Sequence, residues 1–198
     1  MKILACTDMH SNMMVLDKII KKARDCDAVF CCGDITIFGN GLKKVLAKLN
    51  SIGRTVFIIP GNHEDTLEFK NECNKYDKII NVNQKIALLD KYLIFGFGGG
   101  GFSRRDSNLD VISRKMKGVI TENNDKIKIM LTHAPPSDTK LDIIVGGHCG
   151  NKSINEVIIK YNFNYLFCGH IHETFKKVDK LNNTICMNPG PEGIIIEI

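Results

Sequence analysis

Residues Lys2–Asp34 read KILACTDMHSNMMVLDKIIKKARDCDAVFCCGD, and this stretch decides the fold. Lys2–Cys6 is a short apolar run that reads as a strand, and Met13–Arg24 sets Val15, Leu16, Ile19, Ile20 and Ala23 at helical spacing. Ala28–Cys32 is a second strand. Strand, helix and strand in this order form a βαβ unit, whose crossover makes the two strands parallel.

The same alternation continues outward. Gly41–Asn50 reads as a helix and Thr55–Pro60 as a strand whose unbroken apolar character suits burial on both faces. A helix from Glu64 to about Tyr76 leads to three β-like pieces, near Ile79, at Ile86–Leu89 and at Tyr92–Phe97, whose close spacing predicts antiparallel pairing. Gly96–Gly101 (GFGGGG) reads as a loop. Lys126–Thr132 is a further strand and Lys152–Tyr161 a helix. Leu166–Gly169, Thr174–Val178, Thr184–Met187 and Ile194–Ile198 then read as short strands with no helix between them. No linker or repeat interrupts the chain, so residues 1–198 are read as a single domain of mixed α/β class.

Composition excludes several classes. A chain of 198 residues with 43% hydrophobic and 25% charged residues can bury a real core, against disorder and collagen. No apolar run approaches the roughly 18 residues of a membrane span. The start MKILACTD brings an acidic residue too early for a secretory signal, so a cytoplasmic location is expected. Eight Cys contain no C-x-x-C pair. Cys6, Cys31, Cys32, Cys168 and Cys186 sit in or beside apolar runs, as free thiols of a reducing compartment do. The net charge of +5 is spread along the chain. Its densest basic groups (Lys18, Lys21, Lys22, Arg24; Arg104, Arg105) are short, which favours a small anionic substrate over nucleic acid.

Of the six His, all but His148 fall just past the end of an expected strand, where open α/β sheets bind ligands. The local strings are Asp8-Met9-His10, Gly33-Asp34, Gly61-Asn62-His63-Glu64, Thr132-His133 and Gly169-His170-Ile171-His172. Carboxylate, imidazole and amide groups together suit first-row divalent cations, with Mn, Fe, Ni and Zn all fitting. In an extended segment residues i and i+2 face the same way, so Asp8 with His10, and His170 with His172, are expected to point into one cavity.

These five strings, in this order, resemble the calcineurin-like metallophosphoesterase superfamily, whose pattern is D-x-H, G-D, G-N-H-[DE], H and G-H-x-H. Every element is present, and the match spans Asp8 to His172. The resemblance implies a β-sandwich of mixed sheets flanked by helices, with a binuclear metal site at the strand ends. It implies that Asp8, His10 and His172 hold one divalent ion, that Asn62, His133 and His170 hold the other, and that Asp34 bridges them. Manganese ranks first, with iron, nickel or zinc as the other fits. A metal-bridging hydroxide would attack phosphorus while His63 assists the leaving oxygen.

Other residues carry weaker signals. His148, in Gly146–Asn151, is a candidate for contacting a substrate phosphate ahead of a helix, or an ordinary loop His. Asn12 and Asn40 are expected to cap helices rather than meet substrate. Arg104 and Arg105 follow the glycine run and are read as solvent-facing. Asn188-Pro189-Gly190-Pro191 resembles the N-P-G-S turn of many relatives, with Pro in place of Ser, and reads as a tight turn.

Gly33-Asp34-Ile35-Thr36-Ile37-Phe38-Gly39 lacks the Asp-Arg pair of the G-D-x-x-D-R-G motif of Ser/Thr protein phosphatases, and the chain has no room for a repair nuclease's cap. The resemblance therefore points to the small prokaryotic phosphodiesterases, acting on a phosphodiester such as a nucleotide or cyclic nucleotide. The alternatives are a phosphomonoesterase or nucleotide pyrophosphohydrolase. Ranked below is a non-enzymatic interaction scaffold like the retromer subunit of this fold, whose metal site is degraded.

Overall fold

Alternation along Lys2–Cys6 sends Ile3 and Ala5 to one face and Leu4 and Cys6 to the other, and all four are fully buried. A strand with apolar residues on both faces must be covered on both. In the computed structural model, which describes residues 1–198, that strand lies between a second sheet and a layer of helices.

The first half of the chain carries β1 (Lys2–Cys6), α1 (Met13–Ala23), β2 (Ala28–Cys31), α2 (Leu42–Asn50), β3 (Thr55–Ile58), α3 (Thr66–Cys73), β4 (Ile79–Asn81), β5 (Lys85–Leu88) and β6 (Tyr92–Phe97). Then come α4 (Ser107–Lys115), α5 (Lys117–Glu122), β7 (Ile127–Thr132), β8 (Ile143–Ile144), β9 (Gly147–His148) and α6 (Lys152–Lys160). The chain closes with β10 (Tyr165–Phe167), a 3-10 turn at His172–Thr174, β11 (Val178–Leu181), β12 (Thr184–Met187) and β13 (Ile194–Glu197). One sheet has the order β13-β1-β2-β3-β4 and the other β11-β12-β10-β7-β6-β5, while β8 and β9 form a small hairpin.

Three apolar clusters make four layers. Ile3, Ala5, Phe30 and Phe57 of the first sheet meet Ile94, Ile129, Leu131 and Phe167 of the second between the sheets. Phe30 packs edge-on against both Phe57 and Phe167, with ring centroids 5.8 Å apart in each pair. Leu4, Val29 and Ile58 face Leu16, Ile19 and Leu46 of α1 and α2. Phe95, Met130 and Leu166 face Leu109, Ile120 and Ile158 of α4, α5 and α6. The expected mixed-sheet sandwich flanked by helices is the observed one. All eight Cys are free, and Cys149 alone is not buried.

Several local expectations change. Of the three pieces expected to pair antiparallel, β5 and β6 do, but β4 leaves them to extend the first sheet parallel to β3. The tight 82–84 connection after β4 swaps sheets rather than closing a hairpin, because Ile79 is needed over the α3 side of the first sheet. Helices α4 and α5 occupy a stretch assigned no element from sequence. The strand expected at Thr174–Val178 begins only at Val178, since Thr174 closes the 3-10 turn. No helix is long and apolar enough to cross a membrane.

Register explains why the chemistry gathers where it does. Cys6 pairs with Cys31 and Cys31 with Ile58, so β1, β2 and β3 end on one line. Leu131 pairs with Phe167 likewise in the second sheet. Asp8, Asp34, Asn62, His133 and His170 all follow those ends within a few residues.

Candidate metal centre

Left-handed backbone, more than strand alternation, aims the side chains. Asp8 (φ 53°), His10 (φ 45°), Asp34 (φ 49°) and His170 (φ 70°) are four of the eleven non-glycine residues with positive φ, so strain is concentrated at the strand ends. The expectation that Asp8/His10 and His170/His172 converge because they lie in extended segments is therefore corrected. They converge through left-handed turns and, at His172, through the start of the 3-10 turn.

Two glycines let the loops meet. A Cβ on Gly61 would lie 2.0 Å from Asp34 Oδ1, and one on Gly169 would lie 2.0 Å from Thr7 Oγ1 and 2.5 Å from Asp8 Oδ2. Only glycine permits either approach.

Asp34 Oδ2 stands at the centre. His133 Nε2 is 3.3 Å from it, His63 Nε2 3.8 Å and His10 Nε2 4.0 Å. Asp8 Oδ1 lies 3.6 Å from His172 Nε2 and 3.9 Å from His10 Nε2. Ligand-type atoms form three groups, each within 4.8 Å: Asp8–His10–His172, His10–Asp34–His63 and Asp34–His133–His170. Asn62 Oδ1 joins the last, 3.0 Å from His133 Nε2. The structure thus brings together all eight residues expected at the centre.

Hydrogen bonds to the outer ring nitrogens set the tautomers. His133 Nδ1 donates to Cys32 O at 2.8 Å and His10 Nδ1 to Thr36 O at 3.3 Å, which leaves lone pairs on their inward Nε2 atoms when the rings are neutral. His63 is opposite: its Nδ1 accepts from Phe38 N–H at 3.3 Å, so its proton sits on Nε2.

Burial pushes the Asp34 carboxyl up, but His133 and the His63 N–H outweigh it and hold the group below the usual carboxylate range. Burial also depresses His133, and its bond to Asp34 overrides this to raise the ring above its ordinary value. The bond to Asp8 raises His172. Burial and neighbouring His133 push His170 down to about 4, so its ring is neutral. His170 Nε2 is also the one buried side-chain nitrogen or oxygen without a hydrogen-bond partner. A buried ring nitrogen left without a partner among converging acceptors (Asp34 Oδ2, Asn62 Oδ1, His133 Nε2) is costly unless a cation meets it. This donor set fits divalent first-row cations.

Support residues escape a reading of the sequence. Glu64 is 6% exposed and accepts from Asp34 N–H (3.0 Å), Thr36 N–H (2.9 Å), Gly61 N–H (2.8 Å) and Thr36 Oγ1 (2.7 Å). Its place in Gly61–Glu64 is the only signal. Asn188, expected as part of a turn, instead donates to Ile171 O and Thr174 Oγ1 and so braces the His170–His172 segment. Asn12 caps α1 as expected, whereas Asn40 does not cap α2, whose N-cap is Gly41 with no side-chain bond.

His148 belongs to none of the three groups. It sits on β9 with Nδ1 2.7 Å from the buried Asp142 Oδ1, and Arg104 donates to its carbonyl at 2.6 Å. Arg105 pairs with Glu156. The Asp142 bond raises His148 above 6.5. Burial pushes Asp142 up, but His148 and backbone N–H groups of Gly150, Thr139 and Asp138 hold it below 3.8. The His148 contribution to stability is full below its unfolded value of 6.5 and is lost as pH rises through the raised folded value. The Asp142 contribution is present above 3.8 and is lost as pH falls through the depressed value. Proton NMR titration is expected to place the His148 midpoint above 6.5, and Asp142→Asn to return it to about 6.5. A wild-type midpoint at or below 6.5 would contradict the pairing.

Comparison with known proteins agrees with this geometry. The family model for calcineurin-like phosphoesterases matches residues 1–174. The uncharacterized protein MJ1162 of Methanocaldococcus jannaschii is 33% identical over 208 residues, covering 99% of this chain and 91% of that protein. The crystal structure of TT1561 of Thermus thermophilus shares the fold with a TM-score of 0.78 at 19% identity, covering 96% of this chain and 88% of that one. A dimetal phosphatase from Danio rerio does so with a TM-score of 0.65 at 11% identity, covering 93% and 85%. With the ordered motifs, the four-layer sandwich and a family match over most of its length, this chain belongs to the calcineurin-like phosphoesterases.

Proposed function

We propose that the protein is a metal-dependent phosphodiesterase acting on a small anionic substrate. One observation carries the diester preference: no Lys or Arg side chain pairs with any of the eight central residues, and Arg104 and Arg105 are engaged with His148 and Glu156. A dianionic monoester calls for such a cationic fork beyond the metals, whereas a monoanionic diester does not.

Asp8, His10 and His172 would hold one divalent ion, Asn62, His133 and His170 the other, with Asp34 shared between them. Such ions neutralise phosphoryl oxygens and lower the pKa of water. Asp34 is central to three imidazoles and has its backbone pinned by Glu64, so it fixes where the phosphoryl group sits. The Cys32 and Thr36 carbonyls keep the His133 and His10 lone pairs directed inward. His63, its Nε2–H turned toward Asp34 and its side chain 21% exposed, is placed to donate a hydrogen bond to the leaving oxygen and stabilise the charge that develops there.

The test is hydrolysis of bis-p-nitrophenyl phosphate against p-nitrophenyl phosphate by chelated protein, with and without Mn²⁺, Fe²⁺, Ni²⁺ or Zn²⁺, and with His133→Ala as control. Metal-restored diester cleavage that the substitution removes is the expected result. Preference for the monoester would replace this reading by a phosphomonoesterase. Inactivity with every metal would favour the scaffold.

A further inference from the structure

Two exposed phenylalanines flank the centre, and the proposed hydrolysis uses neither. Phe38 is 76% exposed with its ring centroid 4.4 Å from that of His63, and Phe102 is 64% exposed with its centroid 4.6 Å from that of His170. Neither belongs to any of the three apolar clusters. A single exposed apolar residue is ordinary, but these two sit on backbones that disfavour chance. Phe38 has φ 48°, a strained conformation for a bulky residue that its largely solvent-facing ring does not offset by burial. Phe102 follows Gly99, Gly100 and Gly101, all at positive φ, so the chain reaches His170 by a path that side-chain-bearing residues rarely follow.

The partners of the two rings place them around one point. Phe38 abuts the His10–Asp34–His63 group and Phe102 the Asp34–His133–His170 group, and Asp34 is common to both. A phosphoryl group held near Asp34 therefore has an aromatic ring beside a member of each of the two groups that share Asp34. Neither ring offers charge or a hydrogen bond, so what they can recognise is a planar π surface carried by the ester.

We infer that Phe38 and Phe102 are specificity-determining residues that stack against a planar aromatic group of the substrate, a nucleobase or aryl ring. The inference rests on the site binding phosphoesters, and its test is a binding measurement that does not need turnover. Calorimetric titration of the Mn²⁺-loaded protein with thymidine 5′-methylphosphonate and with ethyl methylphosphonate, both monoanionic like a diester, isolates the aromatic contribution as a ratio of affinities. Wild type is expected to prefer the thymidine ester. The ratio should fall about 5- to 30-fold in the double variant Phe38→Leu, Phe102→Leu, with the single variants showing how the rings share it. Because a merely structural effect through His63 or His170 weakens both ligands alike, an unchanged ratio in the double variant would overturn the inference. Equal affinities in wild type, or no binding of either ester, would do so too. Replacing the rings by Trp should preserve the ratio. A retained ratio without hydrolysis of any diester would refute the phosphodiesterase reading alone.

Discussion

Asp34→Asn is expected to lower kcat/KM for bis-p-nitrophenyl phosphate by about 10³-fold, equivalent to about 4 kcal/mol of transition-state stabilisation. The carboxylate is 2% exposed, with Oδ2 within 4.0 Å of three imidazole Nε2 atoms and Oδ1 accepting from His63 N–H at 3.0 Å. An amide preserves the shape and the bond to His63 but removes the only charge that two neighbouring cations would share. Metal stoichiometry measured on the same preparation should fall by at least one ion per chain. Retention of full metal content together with activity within ten-fold of wild type would show that Asp34 does not bridge.

Glu64→Ala should cost about 3–5 kcal/mol of stability, near the upper end for a single substitution. It strips one acceptor from three backbone N–H groups and a hydroxyl, all in the two loops that carry Asp34 and Asn62. For a chain of this size that corresponds to a drop in Tm of roughly 10 °C. Activity of the remaining folded protein should fall about 10²-fold, because the displaced loops move the reacting groups by a fraction of an ångström to an ångström. Glu64→Gln keeps one oxygen and turns an NH₂ toward donors, so it should lose a smaller part of both. Urea denaturation and kcat/KM measured side by side check the pair. A stable Ala variant with normal activity would mean that water replaces the carboxylate without cost.

Much of the architecture is legible in the sequence because burial leaves a local signature. Ile3–Cys6, Ala28–Cys31 and Val56–Ile58 are apolar on both faces, and only a sheet covered on both sides accommodates that. The eight central residues are legible for a different reason: they follow strand ends directly, and strands in register deliver their ends to one line. Pairing partners carry no such local mark. Nothing in Ile79–Asn81 distinguishes a strand that joins β3 from one that turns back to β5, since either neighbour would bury Ile79. Ser107–Glu122 mixes polar and apolar residues with a short helical period interrupted at Met116, and its helices are held mainly by Leu109 and Ile120 against the second sheet.

The sequence alone determined the alternation of strands and helices from β1 to β3, the residue types at the strand ends and hence the family. Those follow from hydrophobic periodicity and from side-chain chemistry, both of which are local properties. Tertiary structure alone decided how those residues act. It turned Asp8, His10, Asp34 and His170 inward through left-handed turns, put the His63 proton on Nε2, anchored two loops on Glu64 and drew His148 to Asp142. Each of these depends on a partner distant in the chain or on a φ value that surrounding packing enforces. Residue identity permits such arrangements, and only the packed fold selects one of them.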